Sequence, residues 1–439
     1  MGEWTEVAIA EAPLEIIDGD RGTNYPKQDD FASVGHCLFL NAGNVTNAGF
    51  SFSDCSFISE DKDAALRKGK AKRDDIVLTT RGTVGNVALY DVSVPYEHVR
   101  INSGMVLLRP DTSKLSPRFL YQFVRSDVFR ERVAALTTGS AQPQLPICDI
   151  KRIEFPLPPL PEQRAIAHIL GALDDKIECN RRRNQTLEAM ARALFQDWFV
   201  DFGPVRARME SQEPYLPADL WQLFPDRLDA EGKPEGWRQD SLASFTNLKN
   251  GYAFKSQDWR DRGVPVVKIG SVKPSFVDLS QVSFIDEDLA QQRELFRLKV
   301  GDMLVGLTGY VGKTGRIPPT VVCPMLNQRV GKFEPKKGLE SFVFANVRMP
   351  EFKVFAESKS HGSAQANVSA SDLLMYPVIN PGRQIVEAFC GISDSVFAKQ
   401  STNEGETAIL AQLRDTLLPK LISGELRIAR AEELVGTTV

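Results

Sequence analysis

The chain has 439 residues, with 53 lysines and arginines against 57 aspartates and glutamates, and a formal net charge of −4 at neutral pH. That length exceeds one hydrophobic core and predicts two or three domains. The charge balance excludes a generally basic nucleic-acid coat, although a local basic stripe is enough for DNA binding.

The opening residues Met1-Gly2-Glu3-Trp4-Thr5-Glu6 are acidic and lack an apolar signal core. No apolar run approaches the length of a membrane span. Together these predict a cytoplasmic protein with no membrane partner. Cys37, Cys55, Cys148, Cys179, Cys323 and Cys390 are scattered without a C-x-x-C pair, and His36, His98, His168 and His361 are equally dispersed. The expectation is reduced thiols, no disulfide framework and no metal site.

Residues 1–155 read as a strand-rich first domain. Ile76, Val77 and Leu78 and then Val87, Ala88 and Leu89 are short apolar runs flanking Gly82 and Gly85, a strand–turn–strand pattern. Met105 to Leu108 forms another candidate strand, stopped by Pro110. Phe119, Leu120, Phe123, Val124, Val128 and Val133 have helical spacing and predict one helix through Leu136. Phe155-Pro156-Leu157-Pro158-Pro159-Leu160-Pro161 carries too many prolines for helix and predicts a stiff, extended stop.

Residues 156–202 read as a central spacer helix. One apolar row is Ile166, Leu173, Asn180, Leu187 and Leu194; the other is Leu170, Ile177, Asn184, Ala191 and Trp198. This is the a/d seam of a coiled coil with a polar centre. The helix opens at Glu162, and at about 1.5 Å per residue the stretch 162–199 spans roughly 57 Å. Arg181-Arg182-Arg183, beside the polar centre, reads as a solvated face or a face toward a partner. Residues 203–236 form a linker rich in Pro, Asp and Glu.

The plan then repeats. Asp75-Ile76-Val77-Leu78-Thr79-Thr80-Arg81-Gly82-Thr83-Val84-Gly85 returns as Asp302-Met303-Leu304-Val305-Gly306-Leu307-Thr308-Gly309-Tyr310-Val311-Gly312, and Phe57-Ile58 returns at the same spacing as Phe284-Ile285. Gly139-Ser140-Ala141-Gln142 answers to Gly362-Ser363-Ala364-Gln365, and Asp149 to Asp372. Residues 237–378 form the second strand-rich domain, and 379–427 a C-terminal spacer helix. Its rows are Ile385, Ile392, Lys399, Glu406 and Leu413, and Phe389, Val396, Asn403, Leu410 and Leu417. Asn184 and Asn403 are equivalent. Lys399 and Glu406 stand where the first helix has Asn180 and Leu187, so the seam is interrupted there. A lone helix of this length has an apolar face to bury, which predicts that the two pair with each other. The alternative is two separate surface helices.

Catalytic motifs are missing. Gly309-Tyr310-Val311-Gly312-Lys313-Thr314-Gly315 invites a phosphate-loop reading, but the glycine required five residues before Gly-Lys-Thr is Leu307. Gly315, Pro318 and Pro319 also forbid the helix that should follow. There is no G-x-S-x-G elbow, no H-E-x-x-H, and no Asn/Asp-Pro-Pro-aromatic tetrapeptide of an amino-methyltransferase. What remains suits recognition. Arg67, Lys68, Lys70, Lys72 and Arg73 form the densest basic segment, able to neutralise phosphates or simply to solvate a loop. Arg81 and Thr83, their counterparts Thr308 and Tyr310, and Lys313, which aligns with Asn86, sit on Gly-shaped turns. Ser140, Gln142 and Gln144 pair in the repeat with Ser363, Gln365 and Asn367. Gln and Asn can bond an adenine edge twice, and Arg a guanine edge; the competing reading is turn chemistry alone.

Three segments carry a family likeness. The first is Pro159-Leu160-Pro161-Glu162-Gln163-Arg164-Ala165-Ile166-Ala167, and the second is Leu194-Phe195-Gln196-Asp197-Trp198-Phe199-Val200-Asp201-Phe202. The third is the closing Leu417-Leu418-Pro419-Lys420-Leu421-Ile422-Ser423-Gly424-Glu425-Leu426. Together with the duplicated domain, they resemble the specificity (S) subunit of type I restriction–modification systems. Asp18-Gly19-Asp20-Arg21-Gly22 is similar to that family as well.

The resemblance implies an α+β fold: two similar strand-rich target recognition domains joined by two long antiparallel coiled-coil helices, with pseudo-twofold symmetry. It implies a non-catalytic DNA-recognition subunit that reads a bipartite target in double-stranded DNA. Two methyltransferase (M) subunits would bring S-adenosylmethionine, and restriction (R) subunits would bring ATP and Mg, with no cofactor in this chain. Base flipping would then belong to the M subunits. The family varies most in its recognition domains, so the resemblance assigns no base-contacting residue. The rival readings are a single-chain DNA methyltransferase or restriction–methylation fusion, and a protein assembly scaffold.

Overall fold

The computed structural model describes residues 4–137, 143–280, 282–362 and 366–431. The chain divides into two compact units, Met1–Ile177 with Ile409–Val439, and Glu178–Ala408. Each is α+β.

In the first unit a four-stranded antiparallel sheet runs in the order Leu14–Asp18, Met105–Pro110, Ile76–Thr79, Val87–Leu89. A three-stranded sheet orders Phe57–Ile58, Cys37–Leu40 and Val99–Ile101, the last pair parallel. Glu6–Ala8 pairs with Glu154–Pro156. Side chains alternate across a strand. Ile76 and Leu78 therefore enter one core with Phe119, Phe123, Leu170 and Leu417, while Val77 enters another with Leu38, Tyr90 and Ile101. Burial on both faces is why these strands read as unbroken apolar runs.

The expected single helix from Phe119 to Leu136 is two helices, Pro117–Val124 and Asp127–Leu136. The break comes from Ser126. Its hydroxyl accepts the Phe129 amide at 3.2 Å and caps a new helix, an alternative to continuing the old one. The bend lets Phe123 meet both Phe129 and Phe155, at ring separations of 5.5 and 5.1 Å.

The second unit repeats the topology. Thr246–Asn250, Val330–Pro335, Met303–Gly306 and Thr314–Arg316 form the sheet, extended by Ser275–Phe276 in parallel. Ser283–Ile285, Val264–Val267 and Met325–Leu326 form the three-stranded sheet, and Arg238–Ser241 pairs with Pro377–Asn380. Met303 and Val305 face Phe333, Phe342 and Phe352, whereas Leu304 faces Val267, Leu326 and Val330. The stretch read as a linker carries two short helices, Gly203–Met209 and Ala218–Trp221.

Two 40-residue helices, Leu160–Phe199 and Arg383–Ile422, contribute to both units. The first begins inside the proline run expected to be extended. Proline is tolerated in a first helical turn, where its missing amide has no partner to lose. In the first unit Ile166, Leu170, Leu173 and Ile177 are buried with Leu410 and Leu417, and Leu413 is half-buried. Asp174 accepts Arg414 at 2.9 Å. In the second unit Asn180 donates to Glu406 at 2.7 Å, and Asn403 to Asn184 at 2.8 Å. The side chains of Gln400 and Asn184 donate to each other's backbone carbonyls. Rising numbers on one helix meet falling numbers on the other, so the pairing is antiparallel. Trp198 is fully buried beside Phe389, with Ile385 in the same core. Leu187, Leu194 and Val396 are half-buried.

Ile392 departs from the expected seam. It is 38% exposed, and Ser393 is buried instead. Here the helix also packs against the second strand-rich domain: Ser341 donates to Asp394, and Phe344 meets Phe397 at a ring separation of 5.5 Å, so the helix buries residues beyond the seven-residue seam. Lys399 is exposed, and the interruption at Glu406 is met by Asn180.

Candidate nucleic-acid interface

Each strand-rich part gathers the same loops at one place. In the first, the Thr80 and Arg81 amides donate to the Gly104 carbonyl at 2.8 and 3.2 Å, and the Leu145 amide donates to the Thr80 carbonyl at 2.9 Å. Arg81 bridges Gln144. Gly82 and Gly85 hold positive φ angles of 75° and 91°, which the tight turn requires. The Asn102 side chain accepts the Gly104 amide at 2.9 Å. In the second part the Leu307 amide donates to the Arg329 carbonyl, the Val368 amide to the Leu307 carbonyl, and Asn327 accepts the Arg329 amide at 3.3 Å. Thr308 donates to the Asn367 side chain at 2.8 Å.

Close backbone approach locks both clusters. A Cβ on Gly19 would lie 2.1 Å from the Asn102 carbonyl oxygen, and one on Gly251 would lie 2.2 Å from that of Asn327. Gly19→Ala and Gly251→Ala are each expected to cost about 1–3 kcal/mol by forcing the facing loop outward. Chemical denaturation of the full chain measures this, and an unchanged midpoint would contradict it.

The basic segment divides by role. The Asp20 carboxylate accepts the amides of Gly22, Arg67 and Lys68 at 2.7, 2.7 and 3.2 Å, and these bonds, Gly22 foremost, hold it below the usual carboxylate range. Arg21 reaches the Ser103 carbonyl at 3.3 Å. Arg21, Arg67, Lys68 and Arg81 thus sit on one connected loop cluster. Lys70 is instead bonded to Asp63 at 2.5 Å. Arg73 donates to the carbonyls of Asp91, Val94 and Tyr96 and stacks over Tyr90. Lys72 is exposed. Arg100 is buried, paired with Asp63, and donates to the Lys68 carbonyl at 2.7 Å, which pins the segment from beneath.

Thr83 is exposed, and its carbonyl accepts the Thr79 hydroxyl. The Lys313 ammonium lies 4.1 Å from the centre of the exposed Tyr310 ring. Gly309-to-Gly315 leads into the strand Thr314–Arg316, not a helix, so it forms no phosphate loop. Ser140, Gln142, Ser363 and Gln365 lie outside the described residues. Sequence reasoning missed Asn102 and Asn327 with Gly104 and Arg329. The only signal was the shared Asn after a short apolar strand in each repeat. Among the described residues, no group of three or more His, Cys, Asp or Glu is placed to hold a metal, and no helix is long and apolar enough to cross a membrane.

A family model described as the type I restriction modification DNA specificity domain matches residues 1–189 and 234–390. The chain belongs to this family. It is 24% identical to the HindI specificity subunit of Haemophilus influenzae, covering 97% of this chain and 100% of that one. It is 25% identical to the MjaIX specificity subunit of Methanocaldococcus jannaschii, covering 80% and 78%. The fold is similar to the crystal structure of a type I S subunit from M. genitalium, with a TM-score of 0.55 at 18% identity over 95% and 96% of the two chains. The chain is accordingly a type I restriction–modification specificity subunit with two strand-rich domains.

Proposed function

We propose that the chain reads a bipartite DNA target, one half with each loop cluster, and performs no chemistry itself. The observation that carries this reading is the twofold construction of one cluster, with Thr80 and Arg81 on Gly104 in the first domain and Leu307 on Arg329 in the second. Arg67, Lys68 and Arg81 would neutralise phosphates or meet guanine, and Gln144, Asn367 and Thr308 would meet base edges. The paired helices would set the gap between half-sites. Methyltransferase subunits would supply S-adenosylmethionine chemistry on adenine, and restriction subunits ATP- and Mg-dependent cleavage, all in the cytoplasm.

Mapping N6-methyladenine in host DNA with and without the chain tests the reading. One split motif should lose its methylation when the chain is removed. Binding to that motif should weaken steeply with salt, because neutralised phosphates release counterions. Methyl transfer by the purified chain alone would favour an enzyme instead.

A further inference from the structure

The two domains are fastened to the helices by equivalent arginines with different acceptors. Arg125 and Arg348 match in the repeat, at the same spacing as Asp149 and Asp372. In the first unit Arg125 donates to Asp174 of the first long helix at 2.6 Å, joined there by Gln122 at 2.8 Å and by Arg414 of the second long helix at 2.9 Å. In the second unit Arg348 donates to Glu188 of the first long helix at 2.8 Å and to the Ser275 hydroxyl at 2.5 Å, and Ser275 donates to Glu188 at 2.7 Å.

Ser275 holds a φ of 79°, a conformation that non-glycine residues adopt only when their surroundings over-determine it. It begins the edge strand beside Thr314–Arg316. Arg316, on that neighbouring strand, lies between the rings of Phe344 and Phe397 at 3.9 Å from each, and Phe397 belongs to the second long helix. The strand that leaves the Gly309–Gly312 turn is therefore tied to one helix through Arg316, and its neighbour to the other through Ser275.

We propose that Glu188, Ser275 and Arg348 are positioning residues that set the angle of the second recognition domain on the helices, and so restrict the gap between half-sites. This rests on the bipartite reading above. The test replaces the chain in its host with Ser275→Ala, Glu188→Gln or Arg348→Met, and with the charge-swapped pair Glu188→Lys with Arg348→Glu. Adenine methylation is then measured on plasmid targets with the native gap and with gaps one base pair longer or shorter.

The wild type should methylate the native gap at least about 10-fold better than the others, and the single variants should bring that preference below about 3-fold while still methylating the native gap. The swapped pair should recover much of the discrimination. Single variants that keep the wild-type preference, or that lose methylation equally at all three gaps, would overturn the positioning role. A wild-type chain directing methylation to no split motif would overturn the bipartite reading itself.

Discussion

Replacing residues 237–378 with the matching segment of another family member should change one half of the methylated target and leave the other intact. The second domain supplies its own sheets and two of its own apolar cores, around Val267, Leu304 and Leu326 and around Phe254, Val266 and Ile285. A grafted domain must also seat on the helices. Phe342 meets Phe195, Phe199 and Phe389 within 6.3 Å. A graft lacking an aromatic there loses about 3–5 kcal/mol. Methylation mapping reads the outcome directly. A change in both halves would mean that the domains do not read independently.

Arg100→Met should cost about 3–5 kcal/mol, because it leaves the buried Asp63 carboxylate without its buried partner. It also frees the Lys68 carbonyl, so DNA affinity should fall along with stability. Burial alone would raise the Asp63 pKa, but hydrogen bonds from Lys70 and Arg100 outweigh it and hold the group below its ordinary value. A depressed folded pKa contributes stability above the unfolded value and loses it as pH falls through the folded one. The stability difference between wild type and Asp63→Asn should therefore be largest above about pH 4 and shrink below it. Urea midpoints across that range check this, and a difference that does not vary with pH would remove Asp63 from the acid response.

The two copies, their strand-rich character and the helix seam were legible in the amino-acid order because each is a local pattern. Apolar alternation, glycine turns and a seven-residue beat report what a segment buries, whatever it packs against. The beat failed at Ile392, where the helix also packs against the second domain through Asp394 and Phe397 and Ser393 is buried. Residue order thus carried the family likeness, the duplication and the matching mid-seam depth of Asn184 and Asn403; the antiparallel direction was implied by the resemblance, and the contact between the two Asn came from the structure. Only the tertiary structure separated Lys70 and Arg73, held by Asp63 and by three carbonyls, from Arg67 and Lys68, which stand on the loop cluster. A run of charges looks the same in sequence whether solvated or captured. Its fate depends on acceptors brought near by the fold from other parts of the chain, as the Asp91, Val94 and Tyr96 carbonyls are for Arg73.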